Sequence, residues 1–131
     1  MLIKNNLDMT TEDYVSFETA KLLKEKGFDE GCIYVYRHDG SEDIWDADKE
    51  DIACQKPTLQ MTMKWLREKC IFITLNIISF NLNDLPIWSF DIWHNNNHEY
   101  RSSDYFDSYE QTCDTAIKYC LKHLLFNDTG R

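Results

Sequence analysis

Hydrophobic residues recur every three or four positions in three segments of the chain, a spacing typical of amphipathic helices that bury one face. The predicted helices cover residues 16–28, 58–70 and 108–125. Each opens with a serine or threonine (Ser16, Thr58 and Ser108), whose side-chain oxygen can accept a hydrogen bond from a free backbone N–H. Gln111 completes a capping box with Ser108. Gly27 supplies the left-handed residue that ends the first helix.

Alternating apolar and polar residues, or short runs of β-branched and aromatic residues, predict strands between these helices. The predicted strands cover residues 32–37, 71–80, 87–93 and 98–106. Asp39 and Gly40 form a tight-turn pair, which leads the chain from the first strand into another strand before the second helix. The predicted order is therefore α-β-β-α-β-β-β-α.

This order predicts an α+β fold, a single two-layer domain in which an antiparallel sheet of four or five strands carries the helices largely on one face. A chain of 131 residues fits one domain. We therefore expect residues 1–131 to form one unit, with flexible ends at 1–13 and 127–131. No apolar run reaches the roughly 20 residues that span a bilayer, and the first residues show no export signal.

The formal net charge is −9, and the isoelectric point is about 4.8. Nucleic acids and anionic membranes bind proteins largely through lysine and arginine side chains. The charge therefore argues against direct binding to either, and it favours an unknown protein partner with a basic surface. The sequence leaves the oligomeric state open.

The chain has five cysteines, an odd number, and no two of them form a CxxC pair. Together with the missing export signal, this predicts reduced thiols in a cytoplasmic protein. Cys70, Cys113 and Cys120 fall on the apolar stripes of predicted helices, so we expect them to be buried. Cys32 and Cys54 are the predicted exposed thiols.

The segments YVSFETAKLLKEKGF, PTLQMTMKWLRE and DSYEQTCDTAIKYCLKHLL resemble a group of small proteins seen in gut Bacteroidales genomes and in their phages and mobile elements. Together the three segments cover about a third of the chain. The resemblance implies an intracellular protein that is not secreted. It implies no activity, and it carries over no functional residue.

Residues 58–126 also show the order α-β-β-β-α, which is the order of a double-stranded-RNA-binding domain. Such domains place a lysine cluster at the start of their last helix to bind phosphates. Here Asp107, Glu110 and Asp114 occupy that region. Because these carboxylates would repel phosphates, we predict that the chain does not bind RNA.

Residues 39–51 contain seven carboxylates and one lysine. Asp46, Asp48 and Glu50 match the first ligands of an EF-hand calcium loop. Asp51, however, stands where that loop needs glycine, and Pro57 stands where it needs a bidentate glutamate. A calcium loop is therefore disfavoured, which leaves a solvated turn or a surface that binds a partner.

An aromatic residue surrounded by carboxylates is a suitable anchor for a basic partner. The predicted partner-binding residues are accordingly Trp45, Asp43, Asp46, Asp48 and Asp51. In the alternative, Trp45 packs back onto the sheet, and residues 39–51 form a solvated turn that binds no partner. A further alternative is that the concentrated charge imitates a nucleic-acid backbone and blocks a nucleic-acid-binding protein.

His94 and His98 are the best candidates for a metal site. If the three intervening asparagines form a hairpin loop, the two imidazoles face each other, and Glu99 could help complete a zinc site. This predicts an alternative function, a metal-dependent hydrolase. The chain has no glycine-rich phosphate loop and no Gly-x-Ser-x-Gly motif, so we predict no cofactor and assign no catalytic residue. The favoured prediction is a non-enzymatic protein-interaction module.

Overall fold

A computed structural model describes residues 13–46 and 50–125 of the chain. The helices are α1 (Phe17–Glu25), α2 (Leu59–Arg67) and α3 (Tyr109–His123). The strands are β1 (Tyr34–Arg37), β2 (Glu42–Ile44), β3 (Ile52–Gln55), β4 (Ile71–Phe80), β5 (Pro86–His94) and β6 (Asn97–Arg101). The α+β class is confirmed, with the order α-β-β-β-α-β-β-β-α.

The strands form two separate three-stranded antiparallel sheets with the orders β2-β1-β3 and β4-β5-β6. The predicted single sheet of four or five strands is therefore wrong, and so is the predicted element order. Both errors follow from β3, which was not predicted. It has only four residues, of which Cys54 alone is buried, so no alternation reveals it. Its pairing with β1 completes the first sheet without any strand from the second half of the chain.

The helices connect the two sheets. α1 packs on β3 of the first sheet, α2 packs on β4 of the second, and α3 packs on β4 and β5. Because α3 also contacts both other helices, it lies at the centre of the hydrophobic core. The fully buried side chains of this core include Leu23, Leu66, Ile71, Ile92, Ile117 and Leu121.

A tyrosine and a buried lysine hold the first sheet against the segment that leads into α1. The hydroxyl of Tyr36 donates a hydrogen bond of 2.6 Å to the carbonyl oxygen of Val15. The ammonium group of Lys56 lies 2.7 Å from a carboxylate oxygen of Glu42 and 4.6 Å from the ring centre of Tyr14. The lysine charge is thus paired and faces aromatic rings, which allows its burial.

Asp114 of α3 joins this helix to the start of α1. Its carboxylate accepts hydrogen bonds of 2.9 Å from the backbone N–H of Ser16, the hydroxyl of Ser16 and the hydroxyl of Thr19. The Ser16 oxygen in turn accepts the N–H of Thr19 at 3.2 Å, as expected of a helix cap. The carboxylate also lies at the positive end of the α1 dipole. One side chain therefore stabilises a cap and a contact between helices.

The predicted helix starts are confirmed, since Ser16, Thr58 and Ser108 each accept a backbone N–H. Gly27 has the predicted left-handed conformation, with φ of 97°. The second helix ends earlier than predicted, at Arg67. Its buried face includes Trp65, whose ring lies edge-on to Phe28 in the core.

The cysteines are all free, but their exposure differs from the prediction. Cys70 follows the end of α2 in a left-handed conformation, with φ of 63°, and its side chain is exposed. Cys54 is buried, and Cys32 is half-buried. Cys113 and Cys120 are buried as predicted, and burial raises the pKa of each thiol to about 12. These two thiols therefore act as apolar core side chains and not as nucleophiles.

Replacing Asp114 with alanine should lower the free energy of unfolding by about 1–3 kcal/mol, because three hydrogen-bond donors lose their acceptor. Alanine favours helices more than aspartate does, so helix propensity alone would have the opposite sign. Urea denaturation measures the difference. Asp104→Ala, which removes an exposed carboxylate from the loop before α3, should leave the unfolding midpoint unchanged. Equal midpoints for the two variants would show that the Asp114 contacts contribute nothing.

Candidate functional site

The side of the first sheet that faces away from α1 carries most of the predicted partner-binding residues. On β1, Tyr36 points toward α1, so its neighbour Arg37 points to the other side. Asp43 lies on this same side, and its carboxylate is 3.5 Å from the guanidinium of Arg37. The Trp45 N–H donates to the carbonyl oxygen of Ile33 at 2.8 Å, which continues the pairing of β1 and β2.

We define the acidic face as this side of the first sheet together with the adjoining depression. Its residues are Ile33, Arg37, Asp43, Trp45, Glu50, Asp51 and Ile52. The depression has a volume of about 430 Å³ and is lined by the arginine, the three carboxylates and Ile52. It therefore combines an apolar wall with an excess of negative charge.

Trp45 is 48% exposed, and Ile33, its neighbour on the acidic face, is 73% exposed. Two large apolar side chains next to each other at a sheet surface are a typical feature of binding sites. Of the predicted residues, Asp43 and Asp51 line the depression and Asp46 is exposed beside Trp45. Asp48 lies outside the described residues.

The acidic stretch is held in place by two basic side chains. Arg37 lies 3.7 Å from the carboxylate of Asp51 in addition to its contact with Asp43. The Nδ1 atom of His38 lies 2.6 Å from the other oxygen of Asp51. This hydrogen bond lowers the pKa of Asp51. Sequence reasoning missed both partners, because β3 brings Asp51 beside β1 and that strand was not predicted.

His94 and His98 are not brought together. The hairpin between β5 and β6 turns through Asn95 and Asn96, which have φ of 52° and 71°, so the loop has two residues and not three. His98 pairs with Trp93, and their ring centres are 4.9 Å apart. Because His94 is the next residue after Trp93, it points to the opposite face of the sheet.

A zinc site at this hairpin would require the two imidazoles on one face. Glu99 occupies the bulge between the pairs that β6 makes with Ile92 and Trp93, and it is exposed. Among residues 13–46 and 50–125, no group of three or more histidine, cysteine, aspartate or glutamate side chains is arranged to hold a metal ion.

Sequence reasoning also missed a polar cluster around Asp91 in the centre of the second sheet. The carboxylate accepts hydrogen bonds from Asn76 of β4 at 2.8 Å and from Arg101 of β6 at 2.7 Å. One carboxylate oxygen also lies 2.8 Å from Nε2 of His98. Burial alone would raise the pKa of Asp91, but the hydrogen bonds from Arg101, His98 and Asn76 outweigh it and lower the pKa to about 2. The cluster thus connects all three strands.

We expect Asp91→Asn to lower the free energy of unfolding by about 1–2 kcal/mol at pH 7, a range that allows for solvent screening of the exposed Arg101. The folded-state pKa lies below its ordinary value of 3.8. The contribution is therefore fully present above about pH 5 and is lost as the pH falls through about 2. Denaturation of both proteins at pH 7, 4, 3 and 2 should give unfolding free energies that converge at the lowest pH. A difference that stays constant over this range would contradict an ionic contribution.

Comparison with known proteins assigns no family and no function to the chain. Searches against protein families, curated proteins and solved structures find no match for the chain. In the part of the chain that the structure describes, no helix has both the length and the apolar character to cross a bilayer. The function is therefore inferred from the chain's own residues.

Proposed function

We propose that this chain is a cytoplasmic, non-enzymatic protein-interaction module, and that the acidic face binds a basic segment of a partner protein. The observation that supports this best is the half-exposed Trp45 beside Ile33, on the same side of the first sheet as a depression lined by three carboxylates. Aromatic side chains of this kind contribute most of the binding energy in many interfaces.

A lysine or arginine side chain of a partner matches this surface in two ways. Its aliphatic stem packs on the indole of Trp45, and its charge lies close to the ring face, where a cation is attracted. Its head group then points toward the carboxylate of Asp43, which lies on the same side of the sheet two residues before Trp45. The ion pairs that Arg37 makes with Asp43 and Asp51 keep these two carboxylates in position before the partner arrives, which lowers the entropy cost of binding.

Long-range electrostatics supports the same partner class. The net charge of −9 attracts basic proteins before contact and raises the rate of encounter. Nucleic-acid mimicry would need carboxylates repeated along an extended surface. The described carboxylates of the acidic face instead line one depression, and two of them, Asp43 and Asp51, contact Arg37. The geometry therefore favours a short basic segment over a mimic of a long backbone.

The alternative function, a metal-dependent hydrolase that uses His94 and His98, gains no support from the geometry. The two imidazoles lie on opposite faces of the second sheet, and His98 is engaged with Asp91. Among the described residues, the hydrogen-bonding partners of Asp91 also include no cysteine or serine nucleophile. We therefore place the proposed function on the first sheet.

Selection of a random peptide display library on the purified protein tests the proposal. The selected peptides should be rich in lysine and arginine, because the depression has an excess of carboxylates. Trp45→Ala should weaken their binding by about tenfold or more, since truncating an aromatic anchor typically costs over 1 kcal/mol. Fluorescence titration of the selected peptides measures the dissociation constants.

Trp93→Ala is the matched control, because Trp93 is 40% exposed but belongs to the second sheet. It should bind the selected peptides as the wild type does. Neutralising Asp43, Asp46, Asp48 and Asp51 to asparagine should also weaken binding and reduce its dependence on salt. Peptides without basic residues, or peptides that bind wild type and Trp45→Ala equally, would refute the proposal. Competition by DNA for a basic protein bound at this face would favour the mimic instead.

A further inference from the structure

The second sheet ends in a long apolar hairpin. No charged residue occurs between Ile71 and Asn83, although charged residues make up 28% of the chain. We define the apolar arm as residues 77–85, which comprise the end of β4 and the turn into β5. Its exposed apolar side chains are Ile77, Ile78, Phe80, Leu82 and Leu85. Phe80 is 62% exposed and Ile77 is 50% exposed, so the arm leaves the core and presents apolar surface to solvent.

β4 is an outer strand of this sheet, and the hydrogen bonds of β5 show which of its backbone groups face outward. Trp88 exchanges N–H and C=O hydrogen bonds with Phe106, and the carbonyl oxygen of Phe90 accepts the N–H of Ser102. Both β5 residues therefore direct their backbone groups away from β4. Because the direction alternates along an antiparallel strand, the intervening residues of β5 direct theirs toward β4.

The same alternation applies to β4. Thr74 pairs with Asp91, so its backbone groups point into the sheet. Those of Ile73, Leu75 and Ile77 therefore point outward. In the described part of the chain, no backbone hydrogen bond outside the β4–β5 ladder reaches these three residues. The outer edge of β4 thus offers a row of donors and acceptors to another strand.

Proteins usually protect such an edge with lysine side chains, proline or a bulge. β4 has no charged residue and no proline. Its one register shift lies between Ile77 and Ser79, beyond the first seven residues of the strand. Within the part of the chain that the structure describes, the edge from Ile71 to Ile77 is therefore regular and unprotected. A regular, apolar and uncharged edge is a template for strand addition.

We propose that β4 pairs antiparallel with β4 of a second copy of this chain, so that two three-stranded sheets join into one six-stranded sheet. A two-fold axis at Leu75 pairs this residue with itself. It also pairs Ile73 with Ile77 of the second copy, and Thr74 with Asn76 of the second copy. Apolar side chains are thus paired with apolar ones and polar side chains with polar ones. The edge is therefore complementary to itself, as a two-fold interface requires.

Charge complementarity supports a second copy as the occupant. In this register the turn of each arm lies toward the end of α2 in the other copy. The only charged residue of the arm, Asp84, then approaches the exposed Arg67 and Lys69 of the second copy. A basic partner, in contrast, finds a single carboxylate on the arm and many more on the acidic face. The two surfaces belong to different sheets, so this inference does not depend on the proposed function.

Analytical ultracentrifugation of the purified chain at 1–100 µM (about the range in which moderate homodimers form) tests the pairing. The wild type should sediment as a dimer at the upper end of this concentration range. Ile77→Lys should weaken dimerisation by about a hundredfold, because two lysines would lose water beside an apolar edge. Ile33→Lys, which introduces the same charge at an isoleucine that is even more exposed but lies beside the first sheet, should remain a dimer. Circular dichroism should show that both variants fold.

Disulfide cross-linking tests the register of the proposed pairing between the two β4 strands. Thr74 and Asn76 of the second copy would form a non-hydrogen-bonded pair, in which the Cα atoms lie about 4.5 Å apart and a disulfide can form. In a Cys70→Ser background, Thr74→Cys mixed with Asn76→Cys should give a disulfide-linked heterodimer under mild oxidation. Tyr105→Cys, at an exposed position away from β4, should not cross-link. A monomeric wild type, an unchanged Ile77→Lys dimer or a missing cross-link would each overturn the pairing.

Discussion

The contact between Asp114 and the start of α1 is the constraint on which the arrangement of the two sheets depends. The first sheet is attached to the helices mainly where β3 packs on α1, and the second sheet packs on α2 and α3. The two halves of the chain are therefore oriented by how α1 meets α3. The carboxylate of Asp114 holds one end of that contact through three hydrogen bonds to Ser16 and Thr19, and the ion pair between Lys118 and Glu18 also joins the two helices. The buried core supplies most of the stability, and these hydrogen bonds fix the orientation of α1 relative to α3.

Local sequence patterns were sufficient for the elements that extend over many residues. The helix caps at Ser16, Thr58 and Ser108 and the full length of β4 were predicted, because helical periodicity, cap chemistry and long β-rich runs are local signals. The division into two sheets was not predicted. It depends on β3, whose four residues gain their stability from pairing with β1 and not from any pattern of their own.

The candidate site shows the same division between local and non-local information. Trp45 and the carboxylates around it stand out in the sequence as an aromatic residue among acids. Arg37 and His38, which hold Asp51, precede it by more than ten positions and become its neighbours only through strand pairing. Asp91 carries no signal in the sequence, because the residues that bind its carboxylate are 7 to 15 positions away. It proved to be the centre of a cluster because three strands converge on it.

The link between Asp114 and Ser16 has a consequence for synthesis of the chain on the ribosome, since the two residues are 98 positions apart. At usual elongation rates, α1 waits roughly 5–20 s for the helix that completes its cap. During that interval its apolar stripe has no partner from α3, and β4 also lacks one of the two helices that pack on it. The nascent chain therefore cannot complete its hydrophobic core before α3 has been synthesised. Final folding should follow release of the last helix, and a chain cut short before Asp114 should be a substrate for chaperones or proteases.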